Sequence, residues 1–543
     1  MAKKILIALA AVVGVLGLAA AGLALFFDAN QFRPALASRM SDALGRRVEI
    51  GNLKISWFAG GVAAEDVVIT DDPQFSREPF VSAKSVSIGV DLVPLIMSRS
   101  LRVQSFTLER PRVSLIRSKA GTWNFSTLGS GQSSSGSMGA ISVLIQKIKI
   151  SGGQISITGL DGARRPRSYS DVDVNVTNLS FTSPFPFGVD AKAPGGGTLA
   201  VDGEAGPFNL KDIALTPFHG EVTIKNLDVA ESGFVDPASG IAGVLDFNGS
   251  VASTGTLMST AGKATFTKAR LLPGAATSSV PIAIDYESTF SSKAQSGTLK
   301  KADVSIGKAV ARITGDYRVN GATTSVRMGL RGTKMPVTEL QSALPAIGVT
   351  LPSGASLTQG TLDLELTIGG PVDRLTIEGP IALAAAKLTG FDLTEKMGAV
   401  ASLAGVKRVG DTLIESLTGT LHMTPDGIRI ESFNMLAPDL GTLTGDGTIS
   451  PQGAMNFPML AKLKDGVVAS PIQSETITRV LSYTQTSGVP FRIQGTTKNP
   501  QFVPDVGRAM KGATDSLKDA AKNPDNLKKA ADAIGNLFRR KQE

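Results

Sequence analysis

The chain has no cysteine, two histidines and two tryptophans, and aromatic residues make up only 5% of its 543 positions. Without cysteine there is no disulfide framework, no thiol nucleophile and no thiolate metal site. His219 stands in a turn-like Pro217-Phe218-His219-Gly220 context and His422 in a strand-like Leu421-His422-Met423. Neither has a second ligand or a serine elbow nearby, so both read as structural. A zinc site would need both histidines plus carboxylates far away in the chain. Neither a GxxxxGK(S/T) loop nor a GxGxxG between strand and helix is present. Asp171-Val172-Asp173-Val174-Asn175 opens like a calcium loop. Val176 then stands where such a loop needs glycine for its sharp turn, and Thr182 where it needs a bidentate glutamate. The reading is a non-enzyme with no catalytic residues, no cofactor and no metal.

A concentrated charge of one sign is also missing. The formal net charge is +8, but the excess is dispersed, and no basic stripe with interleaved aromatics occurs. This argues against a nucleic-acid partner and for a mild attraction to anionic lipid head groups. Long apolar runs are absent with one exception. Ile5 to Phe27 carries no charge, follows Lys3 and Lys4, and ends at Asp28. As a helix it would measure about 35 Å, enough to cross a hydrocarbon core of about 30 Å. A cleavable signal has an apolar core of about 7–15 residues, whereas this run continues past Ala19-Ala20-Ala21 through Leu23, Leu25, Phe26 and Phe27. Residues 1–27 therefore read as an uncleaved membrane anchor. The next basic residue is Arg33, so the positive-inside bias expects a cytoplasmic N-terminus and a periplasmic body.

What dominates the rest is a period of two. Leu53, Ile55 and Trp57 alternate with polar residues, as do Val86, Ile88 and Val90, and Val172, Val174 and Val176. Leu362, Leu364, Leu366 and Ile368 do the same, and Val326, Met328 and Leu330 form a shorter set. Such alternation gives each strand one apolar and one wet face. The 59 glycines and 28 prolines punctuate the chain into many short elements. The expected fold is mainly β: a single N-terminal transmembrane helix, then an elongated, curved antiparallel sheet, repetitive and groove-like. Short helices are expected at 30–44, near 336–344 and 394–404, and at the C-terminus. The seven residues Val326, Met328, Leu330, Leu362, Leu364, Leu366 and Ile368 are the candidate lining of the groove. Asp363 and Glu365 fall on the solvent face.

The sequence also echoes itself. Gly243-Val-Leu-Asp-Phe matches Gly360-Thr-Leu-Asp-Leu, and the same offset of 117 aligns Gly262 with Gly379. Ile313-Thr-Gly-Asp316 matches Leu443-Thr-Gly-Asp446. Constant offset suggests a stacked β-unit. The expected divisions are the anchor 1–27, an N-terminal β-rich block 28–128, a flexible linker or loop 129–139, a repetitive β-body 140–505, and a basic amphipathic helical tail 506–543. The tail sets Lys511, Lys518, Lys528 and Arg539 around a thin apolar stripe. It suits either an anionic membrane surface or a solvated cap.

Several segments together resemble the AsmA family of Gram-negative envelope proteins. They are Phe32-Arg-Pro-Ala-Leu36, Leu44-Gly-Arg-Arg-Val-Glu-Ile50, Leu53-Lys-Ile-Ser-Trp57, Asp72-Pro-Gln-Phe75, Leu108-Glu-Arg-Pro-Arg-Val-Ser-Leu115 and Gly121-Thr-Trp-Asn124. Gly379-Pro-Ile-Ala-Leu383, Thr444-Gly-Asp-Gly447 and Val489-Pro-Phe-Arg-Ile-Gln-Gly495 extend the resemblance. It implies an inner-membrane anchor, a periplasmic β-rich body related to TamB and to bridge-like lipid-transfer proteins, and a role in outer-membrane biogenesis. The partners implied are membrane phospholipids and envelope proteins. Two readings follow. In one, the apolar faces line an open groove for phospholipids. In the other, they pack into a filled core, and the protein is an assembly scaffold for outer-membrane protein targeting and insertion.

Overall fold

The alternating runs form strands, and the strands form one mixed sheet of 25. The structure is a computed structural model and describes residues 14–15, 29–56, 61–91, 103–119, 122–128, 145–159, 166–180, 182–209, 215–321, 323–397, 410–463, 488–505 and 508. Most of the expected anchor, the expected linker 129–139 and all of the expected tail except Arg508 lie outside these residues. Among the described residues no helix is long and apolar enough to cross a membrane. Contacts divide the chain into two units, Met1–Ala302 and Asp303–Glu543.

The N-terminal unit holds β1 (Val48–Glu49), β2 (Asn52–Ser56), β3 (Gly61–Thr70), β4 (Pro79–Val90), β5 (Val103–Glu109), β6 (Arg112–Arg117) and β7 (Ile145–Gly159). It continues with β8 (Arg167–Leu179), β9 (Phe185–Lys192), β10 (Thr198–Ala205), β11 (Phe218–Asp228), β12 (Ala242–Ser253), β13 (Leu257–Arg270) and β14 (Ile282–Ser291). The boundary falls within β15 (Ser296–Ile306). In the C-terminal unit follow β16 (Ala309–Asn320), β17 (Thr323–Pro336), β18 (Ser356–Pro371), β19 (Thr376–Thr389) and β20 (Thr412–Thr424). Then come β21 (Gly427–Ala437), β22 (Gly441–Ile449), β23 (Met455–Leu463), β24 (Val489–Thr496) and β25 (Asn499–Pro504). The α-helices among the described residues are α1 (Arg33–Leu44) and the single turns α2 (Val337–Leu340) and α3 (Leu393–Lys396).

Helix α1 starts with a proline in its first turn and ends on Gly45, whose left-handed backbone donates to the Ser41 carbonyl. Leu36, Met40 and Leu44 recur every fourth residue on one face. They pack with Leu53, Val62, Ile88, Val103 and Phe106, so the helix fills the apolar side of the first strands. Beside it, Asn124 is fully buried. Its amide donates to Asp71 Oδ2 at 2.8 Å and to the Ser114 carbonyl, and its Oδ1 accepts from the Ile116 amide. Burial pushes the Asp71 carboxyl above its ordinary value, against the pull of Asn124 and Arg46.

The sheet departs from the all-antiparallel expectation at one place. β5 and β6 run in the same direction, broken at Arg110-Pro111, and both pair parallel to β7. Parallel neighbours need a crossover of a dozen or more residues, and the connection between β6 and β7 contains the Gly/Ser-rich 129–139. That stretch therefore lies in the connection between two adjacent strands of one sheet. His219, expected in a turn, lies in β11 opposite Glu204 of β10. Asp171 to Asn175 lie in β8, with Val172 buried and Val174 half-buried between exposed Asp171, Asp173 and Asn175.

The repeated sequence has a structural meaning. In β17, the step from Gly332 to Met335 faces the shorter step from Leu364 to Leu362, so one extra residue bulges out at Lys334 (φ 48). The Lys334 amide donates to Oδ1 of Asp363, the residue facing the bulge, at 2.9 Å. The same clamp joins Asn226 (φ 55) to Asp246 at 2.7 Å, Ser432 (φ 52) to Asp446 at 2.7 Å, and Gly152 (φ 62) to Asp173 at 2.9 Å. On the other side of β12 and β18, the bulge residues Lys268 and Ala385 are also 117 apart. They lie at the register breaks beside Gly243 and Gly360, whose φ of 140° and 117° suit glycine. In Gly-x-Leu-Asp, then, the glycine accommodates one bulge and the aspartate clamps another.

In the C-terminal unit the connection from β17 to β18 reaches across the sheet. Ser353 donates to the Lys498 carbonyl through its amide at 3.1 Å and its hydroxyl at 3.2 Å, and the Thr350 and Thr497 hydroxyls are 3.3 Å apart. Laid flat, β18 and β24 would stand about 29 Å apart at about 4.8 Å per strand. Ser353 is only three residues from β18, a reach of about 10 Å. The sheet of this unit must therefore roll back on itself.

Two outcomes check this fold. Asp363→Ala should lower the unfolding free energy by about 1 kcal/mol, and Asp363→Asn, which keeps an acceptor oxygen, by less, as read by urea denaturation. Replacing Thr350 and Thr497 together by cysteine should form a disulfide in this otherwise cysteine-free chain, seen as a shift in mobility on a non-reducing gel.

Candidate functional site

All seven candidate lining residues fall on one face of β17 and β18. Met328 faces Ile368, Leu330 faces Leu366, Gly332 faces Leu364, and beyond the bulge Met335 faces Leu362. Val326 faces Gly370. The pairs persist because the bulge at Lys334 moves the apolar positions of β17 from even to odd numbers. Were the backbone regular there, Met335 would turn to the wet face.

The face continues on both sides of this pair. On β16, Ile313 faces Leu330 and Tyr317 faces Val326. On β19, Ile377 faces Ile368, Ile381 faces Leu364 and Leu383 faces Leu362. Further on, Leu421 of β20 faces Ile430 of β21, and Leu417 faces Met435. Ile313, Tyr317, Ile377 and Ile381 were not among the candidates read from the sequence. The signal in β16 was present as a strict alternation over 309–320, but its apolar side includes alanine and glycine and so looked weak. Glycine has a packing role there and elsewhere: a Cβ at Gly447 would run into the Phe457 ring. In the N-terminal unit the same arrangement runs Leu199, Ile224, Phe247, Ala264 and Ile284 across β10 to β14.

How far the face is covered changes along the sheet. Leu366 is 7% exposed, yet Val326, Met328, Leu330, Leu362, Leu364 and Ile368 are only half-buried. Part of the same face is dry on later strands, with Ala386, Met435, Leu443, Met459, Ala461 and Phe491 buried in one cluster, while Ile377, Ile381, Leu383, Leu417, Leu421 and Ile430 stay half-buried. Met335 of β17 is 3% exposed and the connection after it buries Val337, Ala343 and Ala346, so cover is local and half-open positions extend from β16 to β21.

The opposite face carries the charges. Arg312 and Arg331 stand directly opposite one another, a destabilising pairing if left alone. Asp303 grips Arg312 through two hydrogen bonds of 2.6 and 2.9 Å, and Glu365 pairs with Arg331. These side chains line an open concavity of about 630 Å³. Its charges already satisfy one another, so it makes a poorer candidate site than the apolar face. His422 lies between Glu378 at 3.6 Å and Glu431 at 3.4 Å, and His219 lies 3.9 Å from Glu204. Among the described residues no group of three or more such side chains is placed to hold a metal ion.

The fold and this face define a mainly β protein whose single mixed sheet keeps an apolar side in register from strand to strand. The AsmA family model matches residues 1–358, and the chain belongs to the AsmA family. The family-like segments at 379–383, 444–447 and 489–495 lie beyond the matched stretch. No curated protein and no solved structure matches the chain.

Truncation distinguishes a covered position on this face from a half-open one. Leu366→Ala should cost about 2–4 kcal/mol as a buried leucine, and half-buried Leu330→Ala about 1 kcal/mol, measured by the urea midpoints of the two variants.

Proposed function

We propose that the protein acts in envelope biogenesis by carrying phospholipids, with acyl chains lying along the apolar face of its sheet. The observation that carries this reading is the ladder of Met328–Ile368, Leu330–Leu366 and Gly332–Leu364, in register and only half-buried at Met328, Leu330, Leu364 and Ile368. Burying apolar area is worth about 25 cal/mol per Å², so a face left half-open favours an apolar occupant. An acyl chain asks only for such a surface, and carriage along it needs no catalytic group. AsmA family membership supports the same reading at the level of envelope biogenesis and lipid transport. Localisation belongs to the proposal: residues 1–27 anchor the chain in the inner membrane with the N-terminus cytoplasmic, and the sheet lies in the periplasm beside a lipid reservoir.

A second reading has one observation in its favour. The buried clusters around α1 and around Phe457 and Phe491 are filled cores of the kind an assembly scaffold would present. On that reading the sheet holds envelope proteins during outer-membrane assembly and carries no lipid.

Lipid extraction and mass spectrometry on the detergent-solubilised full chain tests the choice. Phospholipid should co-purify, and Leu364→Asp should reduce it several-fold while the circular dichroism spectrum is retained. Absence of lipid from the unaltered chain, with protein cross-links in its place, would favour the scaffold.

A further inference from the structure

In the N-terminal unit the apolar face crosses β10 to β14 in two adjacent rows. Leu199, Ile224, Phe247, Ala264 and Ile284 stand in register in the first. Val201, Val222, Gly249, Gly262 and Tyr286 do so in the second. Every side chain of these rows is half-buried, and none joins the buried cluster under α1. On the reverse face Asn248, Lys263 and Asp285 stand in register, so polar and charged groups are kept to that side.

The middle of the second row has no side chains of its own. A Cβ at Gly249 would come within 2.6 Å of Phe247 Cζ, and one at Gly262 within 2.8 Å of its Cε2. The Phe247 ring therefore lies down over both glycines and fills the second row. Its neighbour there is Tyr286, with ring centroids 6.1 Å apart. A ring laid over the second row leaves the first row low. Between Ile224 and Ile284 that row keeps only the Cβ of Phe247 and the methyl of Ala264. On the other side stands a third row, with Leu245 opposite Phe266. The result is a dip with apolar walls on four sides.

We infer that this dip is a seat for one phospholipid acyl chain, with Ala264 as its floor and the Phe247 ring as a wall. The inference rests on the lipid reading above and gives it a position in the N-terminal unit. Two features select the occupant. The rows carry no charged side chain, so nothing there compensates a polar group for the water it would lose. The first row spans four strand spacings, about 19 Å at about 4.8 Å each. A tail reaching the midplane of a hydrocarbon core of about 30 Å covers about 15 Å. An extended tail thus fits along the row, with the dip near its middle.

The test incubates the full chain with vesicles of phosphatidylglycerol and a phosphatidylethanolamine that carries a diazirine in one acyl chain. After illumination, lipid adducts are mapped by peptide mass spectrometry. Phe247, Ala264 and Ile284 should carry at least fivefold more adduct than Asn248, Lys263 and Thr265 on the reverse face. Ala264→Phe fills the dip and should lower the adducts on β11 to β14 at least fivefold. Thr265→Phe adds the same ring to the opposite face and should leave them unchanged. If Ala264→Phe does not fold by circular dichroism, Ala264→Val takes its place, with at least a twofold loss expected. Adducts on β16 to β18 of the unaltered chain with none on β11 to β14 overturn the seat and leave the lipid reading standing. So do undiminished adducts in a folded variant at position 264, or an equal loss in Thr265→Phe. Absence of adducts from the whole apolar face overturns the lipid reading and the seat with it.

Discussion

Everything in this structure depends on keeping side chains on the correct face across bulges. A strand has a period of two, so a slip of one residue moves its whole apolar set to the other side. Strands of up to 16 residues also twist and coil, and bulges supply the bend by adding a residue. Here each of four bulges puts a residue with φ near +50° to +60° opposite an aspartate that accepts its amide. The step from Gly332 to Met335 shows the result. The numbering changes parity, but the apolar face does not break.

The same constraint decides which features of the fold were legible. Alternation is a local property, so the strands around Val172, Val326 and Leu362 could be read directly, and so could their shared face. The Gly-x-Leu-Asp echo was visible as a repeat, yet its meaning was not, because a bulge is made by two strands and each contributes only one side of it. Parallel pairing of β5 and β6 with β7 was illegible for a related reason. Their sequences look like any other alternating strand, and only the long connection containing 129–139 hints at a crossover. The helical turns near 337 and 393 were legible as breaks in the alternation. What they do depends on Thr497 and Met435, residues far away in the chain.

The distribution of burial separates the two uses of one surface. In the N-terminal unit α1 lays Leu36, Met40 and Leu44 over the first strands. In the C-terminal unit Phe391, Leu393 and Met397 do the same for β19 onward. Between Ala309 and Pro371 the connection through α2 also buries Val337, Ala343 and Ala346, while Val326, Met328, Leu330, Leu362, Leu364 and Ile368 on the strands stay half-buried. Buried and half-buried positions thus arise from the same strand pattern, and the connections decide which is which. This is why periodicity alone could not choose between scaffold and conduit.

The charged face makes the choice of side unequal. Arg312 opposite Arg331 would repel across the pair, and the structure answers with a carboxylate on each outer side, Asp303 and Glu365. The four charges run negative, positive, positive, negative across the strands and sum to zero, which leaves no net demand on a ligand. Exposed pairs of this kind contribute little to stability. Their consequence is directional: they make one side of β16 to β18 costly to bury and leave the opposite, half-covered side as the place where an apolar ligand gains most.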